Sequence, residues 1–465
     1  MGRLLDKLYA ASPAFVQSLG ITAYSIKQRL TDYGAEFRRY LDEFEKSQWF
    51  ALGELREYQS EKLRDLVKHC YANVPYYRRI MDESKLKPSD IRSVVDLPKL
   101  PILTSEDIRN NYDTLIARPY KPSQLQVGFT SGSTGTPLKL YYDRKVSILK
   151  NVVDWRQKRL AGIELGDRLA LFWGRILIPG ERTRPPFWRY NWSLNHLYCS
   201  SYHVSAGNLD AYLEEMTRFG IKAIEGYPST LHTIARYVLN QKATLPLTAA
   251  FTSSETLFPN QREDIESAFG CPVYDYYGMA ERVVFGSECD HHQGLHLNMD
   301  FGITEILDQD QRPAAPDEVG RIVGTGLFNY GMPLLRYRTS DATSVSSDRC
   351  SCGRQFNLMG TMTSRAENII TTPDGRHLSF ASLSLPFKQM TSIVEAQIIQ
   401  EDREHLIINI VKRPTWKDND AVYLEGEFAK RIGEQMSIEL RFVDDIPRTR
   451  SGKFKFVISK VPPDF

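Results

Sequence analysis

The chain has 465 residues, too many for one ordinary core, so two to four domains are expected. Its 42% hydrophobic and 25% charged residues are the composition of a soluble globular protein. A formal net charge of +2, from 59 basic against 57 acidic residues, gives no electrostatic argument for a nucleic-acid partner. No stretch approaches the roughly 20 consecutive apolar residues that span a bilayer, so no transmembrane segment is expected. The opening run MGRLLDKLYAASPAFVQSLG is interrupted by Asp6, Lys7 and Pro13 and ends in no convincing cleavage site. It reads as mature protein, and with six cysteines and no export signal the compartment is the reducing cytoplasm.

Residues 30–80 carry helical periodicity with strong charge mixing, and Pro75 in NVPYY ends the second helix. DLPKLPILTSEDIRNNY is a proline-punctuated connection into a further helix, with N-cap chemistry at Thr104 to Asp107. GFTSGSTGTP, residues 128–137, holds three glycines, five hydroxyl residues and no charge. It fits a hairpin connection, or a cradle in which backbone amides and hydroxyls hold phosphate, although the Walker pattern is missing. From about 120 to 300, RLALFWG, IKAIEGYP, LTAAFTSSE and CPVYDYYG read as strands that run into polar or glycine turns. LDAYLEEMTRFG, TLHTIARYVLNQ and PNQREDIESAFG are the helices between them. That alternation predicts a layered α/β domain with a mostly parallel sheet and ligands at the strand C-termini. Residues 301–360 turn strand-rich and suggest a β-subdomain, and the remainder is enough for a small α+β domain ending in IPRTRSGKFKF.

Seven of the polar turns occur in a telling order: FTSGSTGTP, EGYPSTL, FTSSETL, YYGMAER, RYRTSD, SRAENI and IPRTRSGKFKF. Together they resemble the adenylate-forming enzymes over roughly residues 125–455. The N-terminal segment, ECDHHQGLH and CSCGR look more narrowly like phenylacetate–CoA ligase-type proteins of the capsular-polysaccharide-associated branch. The resemblance implies a large N-terminal domain and a small mobile α+β C-terminal one. The boundaries are 1–120 for a helical segment, 121–364 for an ATP- and acyl-binding core, and 365–465 for the mobile domain.

The resemblance also assigns roles. Thr130, Ser131, Gly132, Ser133, Thr134 and Gly135 would hold ATP phosphates, with Thr136 standing where many relatives have lysine. Glu281 matches the magnesium-binding acid, preceded by Ala280 instead of the usual threonine. Ser254, Glu255, Tyr277 and Gly278 would lie against the nucleotide, and Asp341 would accept its ribose hydroxyls. Arg338 and Arg336 would supply cations near it, or pair with carboxylates. Arg365 would reach ribose and phosphate, Glu367 takes the hinge position, and Lys453 matches the mobile catalytic lysine, with Lys455 as rival. Tyr227, Pro228 and Trp173, with Ser229 and Ser253 nearby, would line the acyl and adenine pockets.

A separate cluster looks metal-like: Cys289, Cys350 and Cys352, with His296 favoured by the resemblance as fourth ligand and His291 as the alternative. Three thiolates and an imidazole suit a closed structural zinc site. The implied reaction joins a small carboxylic acid to ATP with Mg2+, giving acyl-AMP and pyrophosphate. Acyl transfer follows to coenzyme A, or alternatively to an amine or hydroxyl acceptor. A non-catalytic nucleotide-binding or scaffold protein is the third possibility.

Overall fold

A computed structural model describes residues 9, 12–130, 138–174, 177–178, 182–205, 207–255, 257–308, 310–316, 320–360, 369–390, 392–433, 435–447 and 456–461. It opens with four helices, α1 (Ala14–Asp32), α2 (Ala35–Ser47), α3 (Leu52–Asn73) and α4 (Pro75–Glu83). α2 buries Phe37, Leu41 and Phe44, the spacing of one helical stripe. Pro75 does more than end a helix: it is the first residue of α4, where a missing N–H costs nothing. Thr104 caps Ser105–Asn110 as expected, its hydroxyl accepting from the Asp107 amide at 3.1 Å while Asp107 accepts from the Thr104 amide at 2.8 Å.

β1 (Gln126–Phe129) and β2 (Lys139–Tyr142) form an antiparallel hairpin that leads into α5 (Arg144–Leu160). Asp143 caps α5 by accepting from Val146 N at 2.9 Å, and its other oxygen accepts from Tyr330 N at 2.6 Å. Then come β3 (Leu169–Trp173), β4 (Trp188–Asn191), β5 (His196–Ser200), α6 (Leu209–Phe219), β6 (Ala223–Gly226), α7 (Pro228–Asn240), β7 (Ala249–Ser253), α8 (Pro259–Phe269) and β8 (Val273–Gly278). The strands and helices read from sequence are all present. The short edge strand β4 and its neighbour β5 are additions that no alternation pattern announced.

β9 (Phe285–Glu288), β10 (Leu295–Leu297) and, later, the two-residue strand at Leu358–Met359 complete a nine-stranded sheet. Its centre, in spatial order β5, β3, β6, β7, β8, is parallel, and both flanks are antiparallel. Alternate residues feed two cores. Leu169, Leu171, Ala223, Ala249 and Phe251 face Val152 and Trp155 of α5. Ala170, Phe172, Ile224, Ala250 and Val273 face Met216, Leu231 and Ile265 on the other side. A parallel sheet covered on both faces has all its strand C-termini along one edge, which is where Trp173, Tyr227, Ser254 and Gly278 lie.

β11 (Gly302–Leu307), β12 (Gly320–Gly326) and β13 (Tyr337–Thr343) form the smaller antiparallel sheet expected for 301–360. The last part has a hairpin of Ile369–Thr371 with His377–Ser379, and a four-stranded sheet from Ile393–Gln400, His405–Lys412, Ser437–Phe442 and Val457–Ser459. Its core includes Ile398, Ile408, Leu424 and Phe428, and takes in Tyr202 from the large part. Arg376 donates to the carbonyls of Tyr202 at 2.5 Å, Arg431 at 2.7 Å and Ile432 at 2.9 Å, so one guanidinium ties the two parts together.

Two packing features need their polar chemistry stated. α1 is turned inside out: Gln17, Ser18 and Ser25 are buried, while Phe15, Leu19, Ile26 and Leu30 are exposed. The polar side seats on β4. Ser18 Oγ accepts from Tyr190 N at 3.2 Å, Thr22 Oγ1 from Trp192 N at 3.2 Å, and Ser25 Oγ from Asn191 Nδ2 at 2.8 Å. Elsewhere, Arg156 of α5 meets Asp300 at 2.5 Å, Asn298 Oδ1 at 2.7 Å and the Phe44 carbonyl at 2.8 Å. Ser47 Oγ gives Asp300 a further bond at 2.6 Å.

His196, at the start of β5, is buried, and neither ring nitrogen has a hydrogen-bond partner among the described residues. Burial, and then the nearby Lys158 ammonium, push its pKa down to about 4, against partial compensation by Asp154. The folded chain therefore binds fewer protons here than the unfolded one between about pH 6.5 and 4. Stability is expected to be intact above pH 6.5 and to fall as pH drops through 4, by on the order of 3 kcal/mol from this group. Denaturant midpoints measured from pH 7 to 4.5 check this, and His196→Phe should flatten the profile. An equally steep profile in that variant would remove His196 as the cause.

Candidate active site and candidate metal centre

The glycine-rich loop joins β1 to β2, so the hairpin reading holds for its ends. Thr130 closes the mouth: its amide donates to the Leu138 carbonyl at 2.9 Å, and its hydroxyl accepts from Leu138 N at 3.0 Å. Ser131, Gly132, Ser133, Thr134, Gly135 and Thr136 lie outside the described residues. Gly128 is required by packing, since a Cβ there would fall 2.4 Å from the Tyr142 ring. That tyrosine latches the hairpin to the YYGMAE turn, donating to the Ala280 carbonyl at 2.5 Å with the Arg282 guanidinium 3.7 Å above its ring. Arg282 pays for this placement with φ of +55°, and also donates to Ser147 Oγ on α5 at 2.8 Å.

The structure brings Glu281 and Asp341 together through two tyrosines. Tyr337 donates to Glu281 Oε1 at 2.9 Å, and Tyr277 donates to Asp341 Oδ2 at 2.9 Å. β8 runs into the turn that carries the first carboxylate, and β13 carries the second. Burial raises the Glu281 carboxyl above its ordinary value, two hydrogen bonds oppose this, and the charge on Asp341 adds to it. Two acids held together in a partly desolvated cleft fit a hard divalent cation, whose charge would reverse that shift. Tyr337 and Tyr142 were not singled out from the sequence. The only signal was their place, Tyr337 inside RYRTSD and Tyr142 in the strand after the glycine-rich loop.

Trp173 meets Tyr227 edge-on, with ring centroids 5.4 Å apart. The Gly174 amide donates to Tyr227 Oη at 3.3 Å, and Tyr202 donates to the Gly174 carbonyl at 2.6 Å, so this aromatic wall is fixed at both ends. Pro228 is the first residue of α7. Glu255 accepts from both the amide and the hydroxyl of Ser229 at 3.1 Å, which binds the FTSSE turn to the α7 N-terminus. Ser254 sits at φ of +70°, and Ser253 and Gly278 end β7 and β8. Arg338 is exposed on β13. Arg336 takes the carboxylate-pairing reading and not the nucleotide one. It is buried in an ion pair with Glu305 at 2.9 Å and donates to the Leu100 carbonyl at 2.7 Å, so its charge is already matched. Arg365, Glu367, Lys453 and Lys455 lie outside the described residues.

Cys289, His296, Cys350 and Cys352 place one ligand atom each within 4.8 Å of all the others. Cys289 and Cys350 sulfurs are 3.5 Å apart, and Cys352 Sγ is 3.6 Å from His296 Nε2. β9 and β10 pair antiparallel and the Leu358–Met359 strand lies beside β10, which closes the 61-residue gap in sequence. The amides of His291 and Arg354 each donate to a cysteine sulfur, Cys289 and Cys352, at 3.4 Å. His291 points its Nδ1 to Ser351 Oγ at 2.7 Å and is not in the group. The donor set of three sulfurs and one nitrogen suits a soft or borderline metal ion.

Comparison with known proteins agrees with this layout. The model of the CapK C-terminal domain matches residues 370–460. Protein CapK of Staphylococcus aureus is 27% identical over 98% of this chain and 100% of its own. Phenylacetate-coenzyme A ligase of Thermus thermophilus is 28% identical over 68% of this chain and 71% of its own. The chain is an adenylate-forming ligase. Among solved structures, 2-hydroxyisobutyryl-CoA ligase with 2-HIB-AMP and CoA superposes with a TM-score of 0.58 at 19% identity, covering 88% of this chain and 91% of that one. The same ligase after adenylation, with R3-HIB-AMP, gives 0.56 at 20% identity, covering 89% and 91%. At that identity the agreement is one of fold. The layered α/β part, the β-sheet of 301–343 and the α+β end of this ligase all belong to that architecture, and no described helix is long and apolar enough to cross a membrane.

Proposed function

We propose that this ligase activates a small carboxylic acid with ATP and passes the acyl group to coenzyme A. The acid's oxygen attacks the α-phosphorus; the new P–O bond forms as the bond to the β-phosphate oxygen breaks and pyrophosphate leaves. The acceptor thiol then attacks the acyl carbonyl and AMP departs. The observation that carries this reading is the pairing of Tyr337 with Glu281 and Tyr277 with Asp341 at one strand edge. Magnesium, held by Glu281, would neutralise triphosphate charge; Asp341 would accept the ribose hydroxyls, and Trp173 and Tyr227 would flank the acyl group. Residues 130–135 take the phosphates in this reading. Residues 365–465 move as a domain about Glu367, bringing Lys453 into the cleft for adenylation. Cytoplasmic localisation, where ATP is supplied, goes with it.

A second reading transfers the acyl group to an amine or hydroxyl acceptor in polysaccharide or metabolite modification. The likeness to CapK, over 98% of the chain against 88% and 68% for the phenylacetate ligases of Aromatoleum evansii and Thermus thermophilus, keeps this reading beside the first. Pyrophosphate release that requires an added carboxylic acid tests the ligase itself. Mass spectrometry of products with coenzyme A and with amine acceptors separates the two transfers, and pyrophosphate release independent of any acid would overturn both.

We assign zinc to the Cys289, His296, Cys350 and Cys352 group, in a closed structural role. The purified protein is expected to carry about one zinc per chain. Cys350→Ser should lower metal content and melting temperature while leaving ATP affinity within about twofold, because the group lies apart from the Glu281–Asp341 cleft. Stoichiometric zinc in a Cys289/Cys350/Cys352 triple variant would refute the assignment.

A further inference from the structure

The acyl wall of Trp173 and Tyr227 has a charged floor. Side chains on one face of a strand recur every second residue, so the positions beneath Trp173 and Tyr227 are Leu171 and Glu225, which are also register partners across β3 and β6. A pocket for an aryl acid has no use for a carboxylate there. Glu225 is buried and accounted for: Lys158 Nζ lies 3.2 Å away, and Tyr276, two residues below Gly278 on β8, donates to it at 3.4 Å. Lys158 is shared with Asp154 at 2.5 Å.

α5 carries this cluster toward the Glu281 turn. Lys158, Asp154 and Lys150 recur at four-residue intervals and share a helix face. One turn before Lys150, Ser147 accepts from Arg282, the neighbour of Glu281. Lys150 therefore stands between the Glu281–Arg282 turn and the Asp154–Lys158–Glu225 cluster. Lys158 is occupied by two acids, whereas Lys150 is half-buried and has no hydrogen bond or ion pair among the described residues. Burial holds its ammonium below the ordinary lysine value; Asp154 opposes this, and the cations of Lys158 and Arg282 add to it. Three cations, Lys150, Lys158 and Arg282, thus stand against two acids, Asp154 and Glu225, and the partly desolvated ammonium without an ion pair of its own is the one left to receive an anion.

We propose that Lys150 reads the far end of the acyl group, and that the acid this ligase activates carries a second anionic group, as a short dicarboxylate does. This rests on the adenylation reading above, which fixes where the acyl group lies. It gives the pocket a chemical class that Trp173 and Tyr227 alone leave open. The reacting carboxylate stays near Glu281 and the second anion lies inward, toward Lys150, with Tyr276 and Glu225 closing the floor behind it.

The test separates binding from turnover. Non-hydrolysable acyl-sulfamoyl adenosines made from glutarate, hexanoate and phenylacetate are titrated against the full chain by calorimetry, and pyrophosphate release is measured with the three free acids. The glutaryl compound should bind tightest. Lys150→Met should weaken it roughly 10- to 100-fold, the range of a lost charge-assisted hydrogen bond, and leave the phenylacetyl compound within about twofold. Lys150→Arg should recover part of the loss, which a packing defect would not. Tightest binding of the phenylacetyl or hexanoyl compound by the parent protein, or equal weakening of all three in Lys150→Met, overturns the inference. Absence of pyrophosphate release with every acid would count against the adenylation reading, while the ratio of dissociation constants still decides the pocket.

Discussion

Glu281→Gln is expected to slow acyl-AMP formation by roughly 10²–10³-fold, the scale of losing one preorganised electrostatic group at the reacting phosphates. The amide oxygen still accepts from Tyr337, so the turn and the melting temperature should stay close to those of the parent. What is lost is the negative oxygen that draws magnesium to the triphosphate, and raising magnesium should recover part of the rate. Lys453→Ala should show a deficit of about the same size in acyl-AMP formation. Supplied with acyl-AMP made chemically, however, it should still transfer the acyl group, because the ammonium acts on phosphate chemistry alone. Single-turnover pyrophosphate release and thioester formation measure the two steps. Parent rates in Glu281→Gln, or a Lys453→Ala protein equally slow in both steps, would contradict these roles.

Asp300→Ala is expected to destabilise the large part by roughly 3–5 kcal/mol, since it leaves a buried guanidinium with no counter-charge. Arg156 and Asp300 are both buried, and their network joins α5, the end of α2 and the turn before β11. The denaturant midpoint of the first unfolding transition reads the loss. The double variant Arg156→Met/Asp300→Leu should recover much of it, because removing both charges also removes the desolvation cost. A double variant no better than Asp300→Ala would show that Asn298, Ser47 and the Phe44 carbonyl matter more than the ion pair.

Much of this ligase was legible because its information is local. Each central strand is an apolar run ending in a polar turn, and a parallel sheet must present those turns along one edge. The strand pattern alone did not single out Glu281 and Asp341, which came from the resemblance of YYGMAER and RYRTSD to a family, and neither route showed Tyr337 and Tyr277 bonded to them, because those bonds span 56 and 64 residues. Arg336 shows the limit from the other side. Its neighbourhood in RYRTSD left a nucleotide cation and a carboxylate partner both open, and the partner could not be named, because Glu305 lies 31 residues upstream and only the pairing of sheet strands brings the two together. Between His291 and His296 the sequence left a choice, and it is His296 that lies within 4.8 Å of the three cysteine sulfurs. Edge strand β4 stayed hidden because it is short, pairs with β5 on one side only, and meets a helix on its outer edge.

That helix has a consequence for the life of the protein in a crowded solution. The outward amides of Tyr190 and Trp192 are the groups through which a neighbouring molecule would extend the nine-stranded sheet, strand against strand. Ser18 and Thr22 occupy them, so the sheet has a stopper at this end. Loss of α1 would uncap the sheet and leave it open to association between chains through the backbone itself. The serines and threonine of an otherwise greasy helix thus act as a guard against fibrous growth.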